Sequence, residues 1–209
     1  MKEFLKSISV VSLFRMYNHG YLKKSGWLKS VTTAKSVDAN GSPIPWFTFA
    51  SLRFLESKLT NDLEVFEYGS GNSTIWLSER VGSLVSVEHD KLWFEEIKDT
   101  VGALKNSKHI FRSLSSNEYA DSILEVPFSY DVVIIDGRDR IKCCENALTS
   151  LKENGVIIWD NSDRIKHQQA YDLLAKSGFR RIDFWGIGPI GINEWCTSIF
   201  YRSANCFNI

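Results

Sequence analysis

Hydrophobic and polar positions follow two periods along the chain, and the alternation between them predicts the elements. Leu52, Leu55 and Leu59 recur at helical spacing. Residues 63–68, L-E-V-F-E-Y, form a short β-prone run that stops at Gly69, and residues 74–80 resume as helix. A second strand is expected over 84–88, then a helix over 91–104 with Leu92, Ile97, Val101 and Leu104 apolar. Residues 108–112 predict a third strand. The fourth, residues 130–136, places four consecutive branched aliphatics between two aspartates, as a strand buried on both faces requires. Ile141, Cys144, Leu148 and Leu151 mark a helix ended by Asn154-Gly155, which reads as a C-cap. Residues 156–160 give a fifth strand, 165–177 a helix ended by Gly178, and 181–185 and 196–202 two last strands. The glycine-rich stretch 186–193 joins that pair.

Such regular exchange of strand and helix predicts an α/β fold, a doubly wound sheet of seven strands, mostly parallel. The final pair has no helix between its strands and reads as a hairpin that adds one antiparallel strand. The turn-rich stretch 39–45 (A-N-G-S-P-I-P) divides the chain into an N-terminal helical extension, residues 1–42, and a main domain, residues 43–209. In the extension, Phe4, Ile8 and Val11, with Leu5 and Leu13 beside them, fit one helical face, and a helix docked on the domain is expected. Its uncharged stretch 7–14 is short for a signal peptide, and no small-x-small cleavage site follows.

Composition and charge narrow the function. A chain of 209 residues with 44% hydrophobic and 24% charged residues suits one globular domain and excludes collagen-like, disordered and disulfide-scaffold classes. The longest uncharged run, residues 39–52, is too short and too proline-broken for a transmembrane helix, which needs about 20 apolar residues. Lys and Arg number 25 against 25 Asp and Glu, so no overall basic field points to nucleic acid. The neutrality conceals an asymmetry. Residues 1–35 hold seven Lys and Arg against Glu3 alone, whereas the remainder holds 18 basic against 24 acidic residues. The basic extension can pack on the acidic domain, pair two protomers, or touch an anionic membrane surface, and packing is the expectation. Cys143, Cys144, Cys196 and Cys206 contain no C-x-x-C and read as reduced thiols of a cytoplasmic protein.

The candidate chemistry gathers at predicted strand ends. The first strand runs into E-Y-G-S-G-N-S, residues 67–73, ahead of a helix, and Glu88 ends the second strand 21 residues after Glu67. Glycines there allow a sharp turn close to a bound ligand. Glu67 can accept hydrogen bonds from an amino-acid ammonium, and Glu88 from ribose hydroxyls. A nicotinamide dehydrogenase would carry glycine at the third fingerprint position, where this chain has Thr74. With these residues the sequence resembles the class I S-adenosylmethionine-dependent methyltransferases over about residues 47–202. The resemblance implies a Rossmann-like sheet and a cofactor site of Glu67, Gly69, Ser70, Gly71, Ser73, Glu88, His89 and Asp136.

A second set follows the fourth and fifth strands, with Asp136 in I-I-D-G-R and Asp160-Asn161 in I-I-W-D-N. Parallel neighbours bring these ends together, and two carboxylates with an amide oxygen suit Mg²⁺ or another divalent cation. The set is similar to that of the small metal-dependent, catechol-type O-methyltransferases, which implies Asp136, Asp160 and Asn161 as metal ligands and Asp136 and Asp160 as catalytic groups. Those enzymes place a lysine base where this chain has Asp139; Lys142 and His167 are substitutes, and spacing selects neither. The other reading of Asp160-Asn161 is a cap for the next helix. The expected activity is methyl transfer to an oxygen of a small polar acceptor. A non-catalytic nucleotide- or partner-binding module and a nicotinamide-dependent oxidoreductase are the alternatives.

Overall fold

The computed structural model describes residues 2–125 and 130–209, with side chains from residue 9 onward. Four helices come first: α1 (Lys2–Asn18), α2 (Tyr21–Lys24), α3 (Trp27–Thr33) and α4 (Phe49–Glu56). The alternating part follows as β1 (Glu64–Tyr68), α5 (Asn72–Ser78), β2 (Ser83–Glu88), α6 (Lys91–Gly102), β3 (Ser107–Phe111), α7 (Glu118–Asp121), β4 (Tyr130–Ile135), α8 (Arg140–Ser150) and β5 (Leu151–Trp159). Helix α9 (Gln168–Lys176) leads to the closing strands β6 (Arg180–Gly186) and β7 (Trp195–Tyr201).

The seven strands form one sheet in the order β3-β2-β1-β4-β5-β7-β6. The first five are parallel, and β7 runs antiparallel between β5 and β6. The predicted hairpin is therefore present, with its second strand inserted next to β5. Order reverses at β1, where β2 lies on one side and β4 on the other, so the carboxyl ends of these strands frame the crevice of a doubly wound sheet.

Side-chain alternation sorts the core into two layers. Phe66 and Tyr68 of β1, Val133 and Ile135 of β4, and Ile157 and Trp159 of β5 pack toward α7, α8 and α9. Val65, Val132, Ile134, Val156 and Ile158 face the other way, onto α4, α5 and Phe207. Continuing this pleat past the strand ends puts Glu67, Asp136 and Asp160 on the α4–α5 side of three adjacent strands. Ile135 pairs with Trp159, so Asp136 and Asp160 are neighbours.

Two expectations change. Asn154-Gly155 lies inside β5 instead of capping a helix, because α8 ends at Ser150 and β5 begins at Leu151. Among the described side chains of helix α1 the apolar residues are not docked: Val11 and Leu13 are exposed, as are Val10, Phe14, Met16 and Tyr17. Phe4, Leu5 and Ile8 fall outside the described side chains. The body of the extension is nonetheless tied in. Trp27 Nε1 donates to Gly191 O at 2.7 Å, Ser30 Oγ donates to Val37 O at 2.8 Å, and Asn72 Nδ2 donates to Ser36 O at 2.7 Å. Cys143, Cys144, Cys196 and Cys206 are free thiols, the first three buried.

Candidate active site

The loop after β1 is held by two buried carboxylates. Glu67 is fully buried and accepts hydrogen bonds from Ser73 Oγ, Thr74 Oγ1 (2.6 Å) and Ser86 Oγ (2.7 Å). Burial drives its pKa up to about 7 despite these three hydroxyls, and the nearby Glu88 charge adds to the rise. Thr74 Oγ1 also accepts from Gly71 N at 2.9 Å. The residue that spoils the dinucleotide fingerprint thus links the glycine turn to the carboxylate beneath it. Sequence reasoning assigned Glu67 to a ligand ammonium; the structure commits both its oxygens to the first turn of α5 and to Ser86 of β2.

Glu88 is the second clamp. Its Oε2 accepts from Ser70 N at 3.1 Å, and its Oε1 from His89 N at 2.7 Å and Asp90 N at 2.8 Å. His89 Nδ1 stands 2.9 Å from the same Oε1. Ser70 Oγ meets His109 Nε2 at 2.8 Å, and Trp93 Nε1 donates to Ser70 O at 2.8 Å, laying the indole along the loop. His109 and Trp93 carried no sequence signal beyond residue type, since partners 39 and 23 residues away become visible only in the fold.

Loops after β1 and β4 approach closely. Gly69 adopts φ +96, which disfavours any side chain, and a Cβ on it would lie 3.1 Å from Gly137 Cα. A Cβ on Gly137 would lie 1.9 Å from the Tyr119 hydroxyl. That buried hydroxyl makes no full hydrogen bond among the described residues, and its ring stands edge-on to His89 at 5.5 Å.

Asp136 and Asp160 are brought together with a cation between their loops. Arg140 NH2 donates to Asp136 O at 2.7 Å and Asp136 Oδ1 at 3.0 Å, Nε donates to Gly137 O at 3.0 Å, and NH1 donates to Asp160 O. Asp160 Oδ1 accepts from Trp195 Nε1 at 2.9 Å and Thr197 Oγ1 at 2.6 Å. Burial raises the pKa of both carboxyls above the usual range; Asp136 adds to the rise of Asp160, and Arg140 opposes both. Asp136 keeps a partly open side chain.

This donor set does not fit a divalent ion. The guanidinium of Arg140 already supplies positive charge to Asp136, and two donors occupy one oxygen of Asp160. Among the described residues no group of three or more His, Cys, Asp or Glu is arranged around a metal position. Asn161 takes a left-handed backbone, φ +50, and neither it nor Asp160 caps α9, whose N-cap is His167. Lys142 pairs with Glu145 at 3.5 Å on an exposed part of α8, so the structure does not bring it to the aspartates. His167 is buried beside Trp159, and burial, with the Arg140 charge next, pushes its pKa down to about 4.

What the arrangement leaves open is Asp136, whose side chain is partly exposed and has one oxygen not engaged by Arg140. Glu67, Asp136 and Asp160 line adjacent strand ends, all with raised pKa values, and Glu67 and Asp160 both raise the cost of charge through neighbouring acids. A positive group near Asp136 would relieve that repulsion.

No protein-family model matches the chain, and a search of curated proteins finds no match. Solved structures do. The chain is similar to a precorrin-6y C5,15-methyltransferase from Geobacter metallireducens (16% identity over 72% of this chain and 86% of that one, TM-score 0.58). It is similar to the tRNA (m1A58) methyltransferase TrmI of Aquifex aeolicus (15% identity, 83% and 74%, TM-score 0.55). A protein from Streptococcus mutans, solved in complex with SAH, superposes with TM-score 0.52 at 14% identity over 71% and 94%. At such identities the likeness establishes architecture: the chain has the fold of the class I S-adenosylmethionine-dependent methyltransferases.

Proposed function

We propose that the protein transfers the methyl group of S-adenosylmethionine to an oxygen of a small polar acceptor. The observation that carries this reading is the convergence of the Glu67–Gly71 loop, Glu88, Asp136 and Asp160 at the carboxyl ends of β1, β2, β4 and β5. Fold alone would not support it, since one architecture serves many chemistries. When bound, S-adenosylmethionine supplies an electrophilic sulfonium methyl group and leaves as the neutral thioether.

The chain's own residues then have distinct tasks. Glu67, Ser73, Thr74 and Ser86 fix the loop; Gly69, Ser70 and Gly71 present its backbone; Glu88 and His89 set its far side. Asp136 would face the cationic part of the cofactor and, through the oxygen not engaged by Arg140, would accept the proton of the acceptor hydroxyl. A carboxyl with a raised pKa suits such a base better than an ordinary surface aspartate. Asp160, held by Trp195 and Thr197, orients the acceptor beside Asp136. Alignment of the reacting atoms, worth roughly 7–11 kcal/mol in favourable cases, is the larger contribution. Arg140 takes the place of the divalent ion expected from sequence.

Calorimetric titration with S-adenosylhomocysteine tests the reading. Saturable binding is expected, and no heat at about 1 mM ligand, corresponding to less than about 4 kcal/mol, would overturn the cofactor assignment. Adding a chelator to the titration and to any turnover assay is expected to change neither; activity lost in chelator and restored by Mg²⁺ would return the metal to the site.

A further inference from the structure

Ser70 stands between the two glycines of the loop after β1, and side chains from other elements hold its N–H, its hydroxyl and its carbonyl. The N–H donates to Glu88 Oε2 at 3.1 Å, Oγ meets His109 Nε2 at 2.8 Å, and the carbonyl accepts from Trp93 Nε1 at 2.8 Å. The first and last of these bonds fix the peptide planes on either side of Ser70, so the backbone path through residues 69–71 is set from outside the loop. The indole also lies against Gly71: a Cβ built there would stand 3.8 Å from Trp93 Cζ2.

Sheet register and a helix cap bring these groups to the loop. Glu67 pairs with Ser86, and Ser86 with His109, so the three side chains form one row on the same face of β1, β2 and β3. Phe94 backs the imidazole, with ring centroids 4.3 Å apart. Asp90 caps α6 by accepting from Leu92 N at 2.9 Å and Trp93 N at 3.2 Å, which fixes the turn that carries the indole. His109 is half-buried on an edge strand, and Trp93 is 39% exposed. Packing alone requires no imidazole or indole N–H at such half-open positions, whereas both are hydrogen-bonded to the loop.

We propose that Trp93 and His109 are positioning residues that lock the turn at residues 69–71, and through it the cofactor site, in shape before the ligand arrives. A preordered loop raises affinity because binding does not then have to order it. The effect on affinity rests on the S-adenosylmethionine reading, the clamp itself does not, and the test separates the two. In the ligand-free protein, Trp93→Phe and His109→Leu should each speed hydrogen exchange of the amides of residues 69–73 about fivefold, as loss of one hydrogen bond predicts, with β4 and β5 amides unchanged. Calorimetry should show S-adenosylhomocysteine affinity weakened about fivefold in each. His109→Gln, which keeps a polar amide at comparable reach, should retain both the protection and the affinity. All three variants should melt within about 4 °C of the parent, so that general destabilisation does not produce the pattern. Unchanged exchange in Trp93→Phe and His109→Leu, or exchange raised equally in β4 and β5, would overturn the clamp. Loosened loops with undiminished S-adenosylhomocysteine affinity would overturn the positioning role. A parent chain that binds no S-adenosylhomocysteine while both variants loosen the loop would overturn the cofactor reading and not the clamp.

Discussion

Arg140 carries more of the candidate site than any residue the motifs pointed to. Its guanidinium joins the carbonyls of Asp136, Gly137 and Asp160 and the carboxylate of Asp136, so one side chain ties the loop after β4 to the end of β5. Arg suits this task because its planar fork offers five fixed donors. Arg140→Met keeps the apolar stem but deprives three carbonyls and the partly open Asp136 carboxylate of their donor. Removing one member of a fully buried pair costs about 3–5 kcal/mol, and solvent access to Asp136 lowers this to about 2–3 kcal/mol. Urea unfolding should show a loss of that order, and adding Asp136→Asn should recover part of it by removing the stranded charge. A loss within about 0.5 kcal/mol, typical of surface substitutions, would mean that Arg140 is not a structural counter-ion.

At the level of elements, the extension and the β6–β7 loop act on each other. The Trp27 Nε1 bond to Gly191 O fastens α3 to the glycine-rich loop, and Trp195, the first residue of β7 after that loop, holds Asp160. Trp27→Phe keeps most of the packing and deletes the donor. The expected cost is about 1 kcal/mol, a melting temperature lower by about 2–4 °C. If the loop positions Asp160, the acceptor KM should rise while S-adenosylhomocysteine affinity stays constant; equal loss in both would place the effect in general stability. This coupling shows where sequence reading reaches and where it stops. All seven strands were legible, and so were the helices between them apart from the short α7, since periods of two and 3.6 are local. So were the strand-end positions of Glu67, Glu88, Asp136 and Asp160. The inserted position of β7, the paths by which Arg140 and Trp195 reach the aspartates, and the saturation of Glu67 depend on partners distant in sequence. Spacing proposed metal ligation for Asp136, Asp160 and Asn161 because it shows which acids converge, but not which cation or donor meets them first. The Asn154-Gly155 signal failed for a related reason: sheet pairing of Tyr130 with Leu151 draws the segment into β5, overriding a local cap preference.

For the whole molecule, the acids gathered at the carboxyl ends of the sheet govern how stability responds to pH. Glu67 ionises near pH 7 in the fold against an ordinary value of 4.5. The unfolded chain therefore gives up this proton first as pH rises, and the stabilisation is complete below about 4.5 and lost as pH rises through about 7. Ionised at pH 8, the buried carboxyl costs on the order of 3 kcal/mol, or roughly 6–12 °C in melting temperature. Asp136 and Asp160, also raised, act in the same direction. His167 acts oppositely: held at about 4 against 6.5, it removes stability as pH falls through that interval. Burial lowers His109 as well, and it acts with His167; with three acids against these two imidazoles, the ligand-free protein should melt lower at pH 8 than at pH 5.5. Glu67→Gln keeps the shape and the hydroxyl partners without the charge. Its melting curve should match the parent at pH 5 and exceed it at pH 8; parallel curves across that range would show that Glu67 does not titrate there. A cation placed among these acids offsets their repulsion most where they are ionised. S-adenosylmethionine should therefore raise the melting temperature more at pH 8 than at pH 5.5, whereas S-adenosylhomocysteine, which lacks the sulfonium charge, should show a smaller difference between the two. Equal pH dependence for both ligands would place the sulfonium away from Asp136 and hand the proposed proton transfer to another group.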